Sequence, residues 1–535
     1  MREWGRVLAL VLLTTAVCTW PWVIRPWSVP EHQDPLFSIW RLYQWARNVA
    51  EHPWRPFDGN IFYPAADVLL FSDAIALPAL AGAPFILVGV PPLFVYNALV
   101  LAAFLTAGLG MYLWARDLSG SRSGGLIGAV VFTGAPFRVE HFYHLELLWA
   151  CWIPLALWAS QRVMSGQRPG VRYLSLALAA QFLSSIYYGL FLLTVLPIVV
   201  GLTWLARPVV MARSTFTRAT AGVLLAAVVI GLYAAPYANA RRTLKDRSAG
   251  EISSYGAELV NYAATPAGNV AWGWTSELLG AREKRLSAGV LAYALTLPAL
   301  LPPVQPWAVG LLGGALVAFD ASRGLDGVVY RVLHRFVTPY RGLRVPARFA
   351  MIVLAMVAGL AALGVARVER EVFNRRRWRV MTAAALAGLL AEYATSSGMR
   401  DLPSDPPEVY AWLGTQPPTV IAHFPMPSAG DLPGREADFQ FFAQFHRHEL
   451  VNGNSGYYPP SYITVLDRVH NFPDARSLVE LRRLGVTLVI VHSEHYARQQ
   501  YHRIILDLGS LPDVEWVGTH ADDRGLVQVF RLRPP

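Results

Sequence analysis

The sequence predicts a mainly α-helical, polytopic membrane protein with about 11 transmembrane helices and a C-terminal extracytoplasmic α/β domain. Three observations lead there. Of 535 residues, 54% are hydrophobic and only 15% charged, against roughly 25% charged in soluble domains, which excludes a soluble enzyme. Apolar runs long enough to cross a bilayer recur from residue 7 to residue 395. Arginines gather between alternate runs, as the positive-inside rule requires.

The first run, Val7–Ile24, follows Arg2 and Arg6 and ends among Trp20, Pro21, Trp22 and Trp27. It is longer than a signal-peptide core and lacks a small-residue cleavage site, so it reads as a retained helix with an aromatic belt. Further runs cover about 91–115, 124–140, 145–163, 171–187, 188–206, 217–236, 287–303, 305–321, 349–366 and 379–395. The stretch Ala74–Val90 is short and holds Pro78 and Pro84; its length suits a re-entrant or interfacial segment better than a span. With the N-terminus cytoplasmic, the cytoplasmic segments carry 16 positive and 4 negative residues, and the rest of the chain carries 30 and 32. Counting Ala74–Val90 as a span would put those arginines outside. The formal charge of +10 is therefore a topology signal, and no nucleic acid partner is expected. Cys18 and Cys151 lie in apolar runs and supply no disulfide framework.

This parity places residues 25–90, 237–286, 322–348 and the C-terminal region outside. The expected domains are 1–395 in the membrane and 396–535 outside it. Within the first outer loop, Leu36, Ile39, Trp40, Tyr43 and Ala46 share one helical face, and Ser38, Arg41, Gln44, Asn48 and Glu51 the other. Residues 36–51 thus form either a helix lying in the membrane surface or an ordinary packed helix. In the C-terminal region, Thr419–Pro425 and Leu488–His492 read as strands. Val514–Thr519 and Val527–Leu532 read as a hairpin across Ala521–Gly525, and Ser477–Leu484 as a helix stopped by Gly485.

Ionisable groups at a membrane edge are costly to place and so point to function. Asp34, in Glu31-His32-Gln33-Asp34-Pro35, is either a carboxylate able to act as general base or the cap of the helix that follows. His141, His144 and Glu146 cluster at the next outer junction, where they could bind a metal, orient a phosphate or serve acid/base chemistry. Arg341, Arg344 and Arg348 lie outside, where few cations are expected, and Arg241, Arg242 and Lys245 form a second basic cluster. Such arginines suit phosphate, or anchor a span to headgroups. Tyr187 and Tyr188 fit an aromatic belt as well as they fit sugar stacking. Asp58 reads as a turn residue, whereas Asp73 caps the short segment or joins the site. No Walker-type loop, His-Glu-x-x-His or nucleophile elbow is present.

Several stretches resemble a group of bacterial proteins with the GT-C fold of integral-membrane glycosyltransferases, which includes protein O-mannosyltransferases and lipid A aminoarabinose transferases. They are Gln33–Phe37, Phe57-Asp58-Gly59-Asn60-Ile61-Phe62-Tyr63-Pro64, Tyr143–Leu148, Ser185–Gly189, Leu343–Phe349 and Val451–Ser461. The resemblance covers nearly the whole chain and implies an enzyme of a bacterial inner membrane. Its donor would be a polyprenyl-phosphate sugar and its acceptor a glycan, lipid or protein. Asp34 would be the general base, Arg344 and Arg348 would meet the phosphate, with Arg241 and Arg242 in reserve, and the anomeric carbon would invert. The chain lacks a paired Asp-Glu or Asp-Asp in the first outer loop, so Glu146 and Asp73 compete as second carboxylate. Arg341, His144, Tyr187 and Tyr188 complete the expected substrate contacts. No cofactor is expected; a divalent metal is possible without support from the sequence. A flippase of lipid-linked saccharides would more naturally show internal repeats and midplane charges, and a non-catalytic envelope scaffold is the other alternative.

Overall fold

The computed structural model describes residues 2–167, 169–208, 213–281, 283–372, 374–403, 405–522 and 525–533. Arg168 of an expected cytoplasmic segment and Asp523 and Arg524 of the expected hairpin turn lie outside the described residues. The chain divides into two compact units. The first comprises Met1–Glu31, Asn97–Pro236 and Lys245–Met399; the second comprises His32–Tyr96, Tyr237–Leu244 and Arg400–Pro535.

In chain order the helices begin α1 Arg2–Cys18, α2 Asp34–Glu51, α3 Ala76–Leu87, α4 Pro92–Ser119, α5 Arg122–Gly134 and α6 Pro136–Glu140. Next come α7 Leu145–Leu148, α8 Trp152–Met164, α9 Pro169–Ser184, α10 Ile186–Ala206, α11 Arg213–Leu244 and α12 Ala249–Ser254. They continue as α13 Thr275–Leu279, α14 Val290–Leu300, α15 Pro306–Ser322, α16 Val328–Phe336, α17 Ala350–Glu371 and α18 Arg375–Tyr393. The last are α19 Glu408–Gly414, α20 Glu436–Phe442, α21 Pro460–Val469, α22 Ala475–Arg483 and α23 Arg498–Gly509. The strands are β1 Ser28–Pro30, β2 Met399–Asp401, β3 Val420–Phe424, β4 Glu449–Leu450, β5 Val486–His492, β6 Val514–Asp522 and β7 Gly525–Leu532.

Helix occupies each of the apolar runs read from the sequence. Among the described residues, α4, α10, α11 and the helix through α17 are long and apolar enough to cross a membrane. At the centre of the first unit, α17 is buried at every residue from Ala350 to Ala366, and α5, α10, α14 and α15 pack against it. Two glycines permit close approaches between helices. A Cβ on Gly364 would stand 2.1 Å from the Leu295 carbonyl of α14, and one on Gly310 of α15 would stand 2.0 Å from Thr203 Oγ1 of α10. Small residues let apolar helices gain packing where lipid offers no hydrophobic contrast. By contrast α11 exposes Val223, Leu224, Leu225, Val228 and Leu232.

In the second unit α2 is buried on both faces: Leu36, Ile39 and Trp40 on one, Arg41, Gln44 and Asn48 on the other. The exposed apolar stripe of a membrane-surface helix is absent from it. Backbone carbonyls draw its polar face inward, because Arg41 donates to Asp73 O and Asn48 Nδ2 to Pro56 O and Asp58 O at 3.1 and 2.8 Å. The following segment runs along β4. Leu450 N–H donates to Asn60 O at 2.9 Å and Tyr63 N–H to Leu450 O at 2.9 Å, while Asn60 Nδ2 reaches His448 O at 2.9 Å. The first outer loop is in this way stitched to C-terminal residues. Helix α3, 12 residues with Pro84 inside, is about 18 Å long against a hydrocarbon core of about 30 Å.

Five strands form a sheet in the order β4-β3-β5-β7-β6, parallel from β4 to β5 and antiparallel beyond. The expected hairpin is β6–β7, and α22 ends before Gly485, whose φ of 76° only glycine adopts freely. One sheet face carries fully buried His423, whose Nδ1 lies 2.9 Å from His492 Nε2, beside stacked rings of Tyr410, Phe439 and His446. Burial pushes His446 and His492 down to about 3 and holds His423 well below the ordinary imidazole range. Burial also pushes Glu436 up to about 8, against hydrogen bonds from Asn452 and Gly453.

The signs oppose. The unfolded chain takes up histidine protons below about pH 6.5 that the folded chain refuses, so stability falls as pH drops through that value. Folded Glu436 keeps its proton to about 8, so its contribution, complete below the unfolded carboxyl range, disappears as pH rises through 8. Thermal midpoints in detergent should therefore be highest near neutrality and fall on the acid side, and His492→Phe should flatten that fall. Equal midpoints at pH 5 and pH 7 would contradict the burial of these rings.

Candidate active site

Between α5 and α8 the chain breaks into short pieces. Pro136 opens α6 after extended Ala135, and His141 ends it; His144, in extended conformation, opens α7. A fully buried arginine supports the broken backbone. Arg138 Nη2 donates to Ala103 O at 3.0 Å and Leu148 O at 2.7 Å, with its guanidinium over Phe104 and Phe132. The loop before α14 is fastened alongside by Arg285 Nη1, 3.1 Å from Glu140 Oε1, and by Phe137 N–H donating to Ser287 O at 3.0 Å.

That loop delivers Glu283, a non-glycine residue at φ 65°, a sparsely populated conformation that costs free energy. Its carboxylate receives a buried two-pronged contact from Arg348, Nε to Oε2 at 3.1 Å and Nη2 to Oε1 at 2.6 Å. His141 Nδ1 and His144 Nε2 lie 3.8 and 3.9 Å from its two oxygens, and the two imidazoles face each other at 3.4 Å. Burial alone would push this carboxyl up; Arg348, then His141 and His144, hold it well below the usual carboxylate range. One ligand atom from each of His141, His144 and Glu283 falls within 4.8 Å of the others, a donor set that suits a divalent cation. The Arg348 fork, however, already engages both Glu283 oxygens.

The N-terminus of α10 meets the arginine segment. Arg344 N–H donates to Tyr187 Oη at 2.9 Å, and the Arg348 guanidinium lies 5.0 Å over the Tyr187 ring. Tyr340 Oη is 2.6 Å from Thr194 Oγ1, and Phe349 stacks on Phe191 with ring centroids 3.6 Å apart. The Arg344 guanidinium rests over Tyr255 at 5.4 Å, and no carboxylate pairs with it among the described residues.

No family model and no curated protein matches the chain. Solved structures do. Arabinofuranosyltransferase AftD from Mycobacteria superposes with a TM-score of 0.64 at 15% identity, over 100% of this chain and 42% of its own. ArnT from Cupriavidus metallidurans, bound to undecaprenyl phosphate, gives 0.52 at 11% identity over 98% of both chains. The oligosaccharyltransferase AglB from Archaeoglobus fulgidus, in complex with an inhibitory peptide and a dolichol-phosphate, gives 0.50 at 12% identity over 99% of this chain and 74% of its own.

The fold is that of the GT-C glycosyltransferases. This chain spans less than half the length of AftD. Of the residues singled out in the sequence, the first unit of this GT-C fold gathers Arg348, His144 and Tyr187 around Glu283, with Arg344 beside Tyr187. The fully buried Tyr188 lies within electrostatic reach of Arg348, Glu283 and Glu146, and Glu146 within reach of Arg348. Arg341 is engaged elsewhere, donating from Nε and Nη2 to His334 O and Arg335 O at 3.1 and 2.9 Å.

Asp34, Asp73, Arg241 and Arg242 belong to the second unit. Asp34 is the first residue of α2, the cap position being Gln33, and its Oδ2 lies 3.2 Å from His32 Nδ1. Asp73 is buried, with its carbonyl held by Arg41. Arg241 and Arg242 close the last turn of α11. Sequence reasoning missed Glu283. Its only signal was one acid among the cations of Arg282-Glu283-Lys284-Arg285, which reads as a solvated charge run.

Proposed function

We propose that the protein transfers a sugar from a polyprenyl-phosphate donor to a glycan, lipid or protein acceptor at the outer edge of a bacterial inner membrane. In this reading about eleven helices span the membrane, the N-terminus is cytoplasmic and the C-terminal residues are outside. The observation that carries it is Arg344, which pairs with no carboxylate among the described residues, beside the buried Arg348–Glu283 pair, in a GT-C fold whose neighbours ArnT and AglB hold polyprenyl phosphates. Asp34 takes the acceptor hydroxyl proton as that oxygen attacks the anomeric carbon. The sugar–phosphate bond breaks in the same step, the phosphate leaves with the electron pair, and the configuration inverts. Arg344 stabilises the charge gathering on the leaving phosphate, a task for which a planar guanidinium at a low-dielectric edge is suited. Because Arg348 already supplies the positive charge at Glu283, the step is assigned without a metal.

The test is transfer in proteoliposomes from labelled undecaprenyl-phosphate sugars. Arg344→Gln should lower kcat/KM for the donor about tenfold or more, the loss of one charge-assisted contact worth roughly 1.5–3 kcal/mol, while EDTA leaves the rate unchanged. Loss of rate with EDTA, restored by Mn²⁺, would refute the metal-free step and move attention to His141, His144 and Glu283. Saccharide binding without turnover on any donor would favour a scaffold.

A further inference from the structure

One helix carries the exposed amphipathic pattern that α2 lacks. On α16, Val328, Val332 and Phe336 recur every fourth residue and are 60%, 51% and 72% exposed, and Val337, just past the helix, is exposed as well. Exposed Arg331 and Arg335 form a parallel row beside them, and no carboxylate pairs with either among the described residues.

The rest of the helix is clamped, so the apolar row cannot turn inward. Tyr330 is fully buried, and its hydroxyl is 3.2 Å from the carbonyls of both Tyr340 and Leu343. Asp320 Oδ2 receives the Val329 N–H at 2.7 Å, fixing the start of α16 to the end of α15, and Arg341 covers the last carbonyls. The chain enters α16 from one apolar helix, α15, and soon afterwards enters the bilayer-length helix through α17. A short helix between two such elements lies at a membrane edge, with its apolar row at the depth of the headgroup–acyl boundary.

We infer that α16 seats Val328, Val332 and Phe336 in the lipid surface while Arg331 and Arg335 take the phosphates of anionic headgroups. Arginines close to a bilayer surface are attracted to anionic headgroups. Through Arg341 and Tyr330 this seat also fixes the segment that carries Arg344 and Arg348, a consequence that rests on the function proposed above, whereas the lipid contact itself does not.

The two native cysteines are buried, which leaves an introduced one selectively labelled. Phe336→Cys, carrying a nitroxide, is compared in vesicles with Leu506→Cys on α23, which is equally exposed at 73%. The label at 336 should collide several-fold more with oxygen, which partitions into lipid, than with a water-soluble nickel chelate, and the label at 506 should show the reverse. Adding phosphatidylglycerol to phosphatidylcholine vesicles should deepen the label at 336, and Arg331→Gln with Arg335→Gln should abolish that deepening. A label at 336 as accessible to nickel as the one at 506 overturns the lipid seat, and protection from both reagents overturns it in favour of a protein partner. Depth that is identical in both lipids overturns the anionic-headgroup assignment. Size-exclusion elution unchanged from the parent confirms that each variant is folded.

Discussion

Glu283→Gln is expected to destabilise the protein by about 3–5 kcal/mol, because it leaves the Arg348 guanidinium buried without its counter-charge. The pair is two-pronged and nearly excluded from water, so removing one partner saves none of the desolvation of the other. Thermal or chemical unfolding in detergent micelles reads the loss directly. The double variant Glu283→Leu with Arg348→Met should recover most of the stability, since apolar side chains of similar volume replace buried ion pairs at little cost. It should not recover transfer, if Arg348 also serves the donor. A single variant that melts with the parent would mean that water reaches the pair. The pairing is also acid-sensitive. Glu283 is held below the usual carboxylate range, so the stability it contributes is complete above that range and is lost as pH falls through the depressed value.

Asp34→Asn should reduce transfer by about 10²–10⁴-fold, the usual span for removing a general base, with the donor KM unchanged. The side chain is partly exposed, with Oδ2 3.2 Å from His32 Nδ1, so unfolding should shift less than for the buried Glu283. The helix start also favours an acid in its first turn, by roughly 0.3–1 kcal/mol. A large fall in kcat at constant stability separates the chemical role from that of a helix-start residue; full activity would falsify the base assignment.

Much of the architecture was readable because bilayer-length apolar runs and strand–turn–strand patterns are local signals. Val514–Leu532 announced its hairpin, and Gly485 its helix stop, through residues that sit next to one another in the chain. What the sequence left open depended on distant partners. The periodicity of residues 36–51 fits membrane surface and protein interior alike; only the carbonyls of Pro56, Asp58 and Asp73 show that its polar face is satisfied within the protein. Arg341 and Arg348 are near neighbours of the same residue type. One covers the end of a helix and the other enters a buried pair with an acid 65 positions away. Glu283 escaped notice for the complementary reason, as its flanking cations masked a carboxylate that the fold turns inward.

The burial of α17 also bears on how the protein is made. Its residues emerge after those of α5, α10, α14 and α15, all of which pack against it. Those four helices are synthesised before the surface they will share exists, and Gly128 of α5 and Gly314 of α15 are among the residues that later close on it. Packing of the first unit thus waits until α17 has been made, and a chain halted before residue 350 would hold helices that lack the element they assemble around.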